Sequence, residues 1–128
     1  MGVNPCILAD SQDTHRSREE ICMNVVIQPQ GNLDLKASAM LQQNIARLAW
    51  EKYNRWFIDL GEVTTVSHSG LIALITANQL AKKTGRRLSL CNLKGSVMYL
   101  LEITELDRLL DILSDDDEPM GVVDKIVF

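Results

Sequence analysis

The sequence predicts an α/β fold: a single domain in which a mostly parallel sheet is packed by helices. Apolar runs with β-branched residues are typical of buried strands, and they lie near residues 22–28, 55–60 and 88–93. Segments with apolar residues at helical spacing lie between and after them, near residues 35–49, 70–83 and 95–102. Strands that alternate with helices favour right-handed crossovers and parallel neighbours. The apolar character of the helices further predicts a sheet covered mainly on one face.

The length, net charge and hydropathy of the chain exclude several classes of function. The chain has 128 residues, enough for one domain with one core, and 46% of them are hydrophobic. A net charge of −4 without a basic stripe argues against nucleic acid as the main partner. No apolar run reaches the roughly 20 residues that span a bilayer, and the first residues lack a signal-peptide core. We therefore expect a cytoplasmic protein without membrane insertion.

The cysteines and histidines do not indicate a disulfide framework or a metal site. Cys6, Cys22 and Cys91 are widely spaced and form no CxxC pair. Cys91 falls within a predicted strand, where it is expected to be a buried apolar side chain. The two histidines, His15 and His68, are far apart in sequence, which argues against a metal site. Neither a metal nor a cofactor is expected.

The predicted domain covers residues 21–128, with its core at 22–113. Residues 1–20 are interpreted as a polar N-terminal tail, with the alternative that the apolar residues 7–9 add an edge strand. An acidic segment at residues 114–118 precedes an apolar C-terminal stretch. For that stretch, residues 122–128, a strand and a short helix both remain open.

The first predicted strand ends near Pro29, because proline cannot donate a ladder hydrogen bond. Gly31 then allows a turn, and Asp34 is a good N-cap for the helix that follows. Asp59, at the end of the second strand, is interpreted mainly as a cap of the next loop. The third helix is expected to break near residues 103–106.

A small polar turn, Ser67-His68-Ser69-Gly70, joins the second strand region to the second helix. A helix N-terminus carries unpaired N–H groups and the positive end of the helix dipole, and both favour negative charge. Ser67 and Ser69 are each candidates for the N-cap. Lys82, Lys83 and Gly85 suit the other end of this helix.

Three blocks of the sequence resemble the STAS domain, the anti-sigma factor antagonist family. Residues 59–71 resemble the pattern D-L-x-x-V-x-x-x-D-S-S-G-L. Residues 25–34 resemble an apolar strand that ends in G-E-L-D, and residues 85–93 resemble G-x-x-L-x-L-x-x-L. The blocks follow the family's order over roughly residues 22–113. The resemblance implies a STAS fold, a mixed sheet packed by helices.

The resemblance also implies a function in partner switching. An unphosphorylated domain binds an anti-sigma factor, commonly a serine kinase, and phosphorylation of the turn serine reverses the binding; a phosphatase is an implied further partner. The domain would act by binding proteins and not as an enzyme. The implied partner surface consists of Asn32, Asp34, Thr65, Ser67, His68, Ser69, Gly70 and Leu71. The oligomeric state stays open.

The turn departs from the family pattern where phosphorylation occurs. The acid of D-S-S-G is replaced by Ser67 and the acceptor serine by His68, so the second serine, Ser69, is the one that matches. Asn32 replaces the glutamate of G-E-L-D. Ser69 and Ser67 therefore remain as phosphorylation candidates, and the interpretation we favour is a domain that stays unphosphorylated, with Ser69 as the N-cap.

Two other function classes stay open. A domain without the usual acceptor also suits a STAS subunit of a transport or lipid-trafficking ATPase that binds constitutively. His68 beside two serines raises the idea of a hydrolase, but a serine nucleophile needs a base and an orienting acid in hydrogen-bond reach. The G-x-S-x-G elbow is absent, because Ser67 stands two residues before Ser69.

Overall fold

Five parallel strands form the main sheet in the computed structural model, which describes residues 23–114 and 117–128. In chain order the elements are β1 (Asn24–Gln28), β2 (Gly31–Leu33), α1 (Leu35–Leu48), β3 (Arg55–Asp59), β4 (Val63–Val66), α2 (His68–Lys83), β5 (Arg87–Cys91), α3 (Gly95–Ile103), a 3-10 turn (Leu106–Arg108), β6 (Asp111–Ile112) and β7 (Val122–Val127). The strand order is β6-β5-β3-β1-β7, and all four pairings are parallel. The predicted α/β fold with a mostly parallel sheet is confirmed.

One face of the sheet packs against the helices. The strands β1, β3, β5 and β6 follow one another in one direction across the sheet, so right-handed crossovers put all three described helices on the same side. Side chains that alternate along the strands point into this layer, and Trp56, Ile58 and Leu90 are fully buried there. They pack with apolar positions of the helices, including Leu41 of α1 and Leu74 of α2.

A second, two-stranded sheet was not predicted. β2 pairs with β4 in parallel, with Asn32 opposite Thr65 and Leu33 opposite Val66. Each of these short strands leads directly into a helix: β2 into α1 and β4 into α2. The pairing therefore brings the N-termini of α1 and α2 next to each other.

The C-terminal end of α2 follows the sequence prediction. Gly85 has φ +76°, and the N–H of Arg86 donates to the carbonyl of Ala81, which closes α2 with a left-handed residue as expected. The Arg86 side chain has a role that the sequence did not indicate. Its guanidinium donates to three carbonyls beyond the end of α1, those of Ala49, Glu51 and Tyr53. It fixes the chain between α1 and β3.

The C-terminal stretch is a strand. β7 lies parallel to β1 along its whole length, at the edge of the five-stranded sheet, so of the two alternatives that the sequence left open, the strand is the correct one. The expectation of a polar tail at residues 1–20, with residues 7–9 as a strand alternative, lies outside the described residues. None of the described helices is long and apolar enough to cross a membrane.

Candidate functional site

Asp34 caps α1, as predicted. Its Oδ1 accepts a hydrogen bond from the backbone N–H of Ala37 at 3.0 Å, which satisfies one of the N–H groups that have no partner within the helix. The side chain is exposed. Asp59 also caps as predicted, accepting from the N–H of Gly61 at 2.8 Å in the loop after β3.

Asn32 connects the two short strands through its side chain. Its Oδ1 accepts from the hydroxyls of Thr64 and Thr65, each at 2.8 Å. All three residues are exposed. The sequence pointed to Asn32 and Thr65 but not to Thr64, whose contribution depends on the β2–β4 pairing.

Ser67, not Ser69, is the N-cap of α2. Its Oγ accepts from the N–H of Gly70 at 3.2 Å and donates to the carbonyl of Leu33 at 2.9 Å. The backbone N–H of Ser67 donates to the same carbonyl at 3.0 Å. The expectation that Ser69 caps is wrong, because the helix begins at His68, two residues earlier than predicted, and Ser69 already lies inside its first turn.

Gly70 allows α2 to approach β2 closely. A Cβ at this position would lie 2.8 Å from the carbonyl oxygen of Leu33, 2.9 Å from Cγ1 of Val66 and 3.0 Å from Cγ of Leu33. Real Cβ atoms do not approach other atoms so closely, so the backbone approach requires glycine here. The close contact holds the turn against the end of β2, one residue before Asp34.

The remaining predicted residues divide between the surface and the core. His68 is exposed at the first position of α2, while Ser69 and Leu71 are half-buried, Leu71 against the core. Ser69 lines a shallow groove of about 240 Å³ between the first turns of α1 and α2. The groove is lined by Leu35, Ser38, Ala39, Gln42, Ser69 and Ile72. Leu35 and Ile72 are large apolar side chains on its rim, 74% and 45% exposed, which the sequence did not single out.

Within the described residues, no carboxylate is hydrogen-bonded to the His68 imidazole, and no group of three or more His, Cys, Asp or Glu side chains is placed to hold a metal ion. The Ser67 hydroxyl is engaged both as donor and as acceptor. What the site presents outward is Asn32, Asp34, Thr65 and His68, beside two adjacent helix N-termini.

Several solved protein structures are similar to this one. The structure is similar to the Thermotoga maritima protein TM1081, provisionally described as an anti-sigma factor antagonist, with 20% identity, a TM-score of 0.62 and coverage of 72% of this chain and 80% of that one. It is similar to the anti-sigma factor antagonist SpoIIAA in its unphosphorylated form, with 13% identity, a TM-score of 0.55 and coverage of 70% and 77%. It is also similar to the STAS domain of a Vibrio cholerae SulP transporter, with 17% identity, a TM-score of 0.57 and coverage of 94% and 84%. At these identities the likeness concerns the fold. The sequence model of the STAS domain family matches residues 15–118, most of the chain, and the protein therefore belongs to the STAS domain family.

Proposed function

We propose that this domain is a protein-binding module of a partner-switching system, an anti-sigma factor antagonist that binds an anti-sigma factor of the serine-kinase type. The observation that carries the proposal is the surface formed where α1 and α2 begin side by side. Asp34, Asn32, Thr65 and His68 are exposed there, and the engaged Ser67 hydroxyl and Gly70 hold them in place. We call these four side chains, with Ser67, Ser69, Gly70 and Leu71, the turn surface.

The geometry of the turn surface favours a domain that remains unphosphorylated. A kinase delivers its phosphoryl group to one hydroxyl held in line with the nucleotide, and small displacements lower the rate steeply. His68 occupies the position of the family's acceptor serine and has no hydroxyl. Ser67 would have to give up both of its hydrogen bonds, and Ser69 is half-buried one residue further into the helix. In this proposal His68 contacts the partner directly.

Affinity capture tests the partner surface. The tagged protein, an Asp34→Arg variant and a Glu102→Arg control would each be incubated with extract of the native host, and bound proteins identified by mass spectrometry. Glu102 is exposed near the end of α3, so its reversal changes net charge as much as that of Asp34 without touching the turn surface. We expect an anti-sigma factor or serine kinase that is retained by the wild type and the control but lost with Asp34→Arg.

Thermal unfolding separates lost binding from lost folding, because removal of the Asp34 cap is expected to cost only about 1 kcal/mol. An equal yield of the same partner on all three proteins would place the binding face elsewhere. Direct incubation of the purified pair with ATP then tests the switch by intact mass. An unchanged mass with stable binding supports a permanently unphosphorylated domain, whereas stoichiometric phosphate on Ser67 or Ser69 that releases the partner would contradict it.

A second candidate is a STAS subunit of a transport or lipid-trafficking ATPase that binds without phosphorylation. The observation in its favour is again His68 at the acceptor position, since a constitutive subunit has no need of an acceptor. The same capture experiment distinguishes the two candidates. Recovery of an ATPase of the ABC type through the Asp34 face, with no kinase or sigma factor system, would favour this second candidate.

A further inference from the structure

A pocket at the amino ends of β5 and β6 collects positive charge. Its volume is about 320 Å³, and it lies between the last turns of α2, the start of β5 and the 3-10 turn that precedes β6. Its wall contains one carboxylate, that of Asp111, and four cationic side chains, those of Lys82, Arg86, Arg87 and Arg108. The whole chain has a net charge of −4, so the sign of the charge is reversed locally. We call these four cationic side chains, with Asn78 and Asp111, the basic pocket.

The one carboxylate of the basic pocket is already compensated. Oδ2 of Asp111 lies 3.2 Å from Nη2 of Arg87 and 3.6 Å from Nη2 of Arg55, and it accepts a hydrogen bond from the Ser89 hydroxyl. Arg87 also donates to this oxygen through Nε, at 3.2 Å. Two guanidinium groups thus share one carboxylate, and Asp111 has no charge left to offset the other cations. Nη1 of Arg87 has no hydrogen-bond partner among the described residues.

The other three cations of the basic pocket have no carboxylate within salt-bridge distance in the described part of the chain. The Arg86 guanidinium donates to three backbone carbonyls, which are dipoles without net charge, so its own charge is not neutralised. Lys82 and Arg108 are exposed. Lys82 stabilises the carboxyl end of α2 through the helix dipole, but the dipole does not explain Arg108, which lies in a separate segment. The surplus charge is therefore available to a ligand.

Asn78 adds a neutral donor to the basic pocket. It is 4% exposed, and its Nδ2 donates to the carbonyl of Leu109 at 3.4 Å. This distance is longer than the roughly 2.7–3.2 Å of an ordinary N–H···O hydrogen bond, so the amide is only weakly held. A nearly buried donor with a weak partner can turn to a ligand oxygen at little cost.

The composition of the wall suits a doubly charged oxyanion. A guanidinium presents its N–H groups in a planar fork that matches the oxygens of phosphate, and an ammonium binds phosphate as a point charge. A phosphate monoester carries about −1.5 to −2 charges at pH 7 and has three strong acceptor oxygens. A single carboxylate would compensate only one of the surplus charges. The volume of about 320 Å³ is near the lower end of the roughly 300–1,000 Å³ of small-molecule sites, which fits a small ligand.

We propose that the basic pocket binds a phosphate group, either free inorganic phosphate or the phosphate of a small phosphomonoester. Lys82 and Arg108 supply the charge, and Nη1 of Arg87 and the amide of Asn78 supply directed donors. The basic pocket lies at the opposite end of α2 from the turn surface, because His68 begins the helix and Lys82 is in its last turn, about 21 Å away at 1.5 Å per residue. The proposal is therefore independent of the partner proposed above.

A titration followed by nuclear magnetic resonance tests the site with two probes, inorganic phosphate and phenyl phosphate. Each would be added to isotope-labelled protein at about pH 7.5, where the phosphate is mostly doubly charged, at an ionic strength held constant with sodium chloride. We expect saturable shifts of the backbone amide signals of Arg87, Leu109 and Asp111. Tighter binding of phenyl phosphate would identify a phosphomonoester as the ligand class, whereas equal or tighter binding of inorganic phosphate would identify the free ion.

Paired variants separate the basic pocket from general attraction of anions. Lys82→Gln with Arg108→Gln should weaken the binding of both probes at least about tenfold, because two charged partners of the phosphate are lost. The matched control is Lys52→Gln with Arg47→Gln, which also removes one lysine and one arginine from exposed positions but does not touch the basic pocket. The control should change the affinity less than about twofold. Shifts that do not saturate, or that both pairs weaken equally, would overturn the proposal.

Discussion

Replacing Gly70 by alanine tests the close approach of α2 to β2 directly. The added Cβ would lie 2.8 Å from the carbonyl oxygen of Leu33, where ordinary contact requires at least about 3.4 Å. That carbonyl cannot yield easily, since it accepts hydrogen bonds from both the N–H and the hydroxyl of Ser67. The helix must therefore move away from β2, and the Ser67 cap must loosen.

The magnitude follows from two opposing effects. Inserting a carbon into a packed contact costs about 1–3 kcal/mol. Alanine recovers about 0.4–1 kcal/mol by restricting the unfolded chain, since Gly70 does not need a positive φ. The expected net loss is about 1–2 kcal/mol in the free energy of unfolding.

Gly95 is the matched control, because it also lies in the first turn of a helix but has no atom within 4 Å of the place where a Cβ would lie. Gly95→Ala should be neutral or stabilise by up to about 1 kcal/mol. Urea denaturation of both variants, followed by circular dichroism, measures the difference, which we expect to be about 2 kcal/mol. If Gly70→Ala is as stable as Gly95→Ala, the close contact does not constrain the turn.

Three further changes test other parts of the structure. Ser67→Ala removes a cap and a second hydrogen bond and should lower the free energy of unfolding by about 1–2 kcal/mol in urea titrations; no loss would show that another group caps α2. Arg86→Lys should destabilise nearly as much as Arg86→Ala in thermal unfolding, because one ammonium cannot reach three carbonyls as the planar guanidinium does, and full rescue by lysine would contradict this. The Asp124 carboxylate, which accepts a hydrogen bond from the Tyr53 hydroxyl, raises the pKa of Tyr53 to about 12, so this interaction stabilises the fold below pH 10 and is lost as the pH rises towards 12. Plots of the free energy of unfolding against pH for the wild type and Tyr53→Phe should therefore converge as the pH rises from 10 towards 12. A constant separation between the two plots would contradict this stabilising interaction.

The elements that the sequence predicted are those whose signals are local. Three strands and three helices appear where apolar periodicity placed them, and the caps at Asp34 and Gly85 depend only on neighbouring residues. Cys91 is 1% exposed, and burial raises the pKa of its thiol to about 12, in agreement with its interpretation as an inert core residue.

The features that the sequence missed depend on distant partners. β2 has three residues and β6 has two, too few for any period to show. Arg86 has no local signal in the sequence, and only the position of α1 gives its guanidinium three carbonyls to bind. The start of α2 was placed too late because His68 and Ser69 carry no apolar signal, and that error moved the expected cap from Ser67 to Ser69.

Two of the three departures from the family pattern, Ser67 and Asn32, replace an acidic residue by a neutral one. A carboxylate at position 67 could accept from the N–H of Gly70, but it could not donate to the carbonyl of Leu33 as the Ser67 hydroxyl does. A glutamate at position 32 would add charge where the Asn32 amide now receives two threonine hydroxyls. The turn surface thus holds two fewer negative charges than the family pattern implies, and neutral hydrogen bonds replace them. Charge chiefly affects the rate and selectivity of encounter, while packed contacts determine how long a complex lasts. This composition supports the proposal of a partner contact that phosphorylation does not reverse.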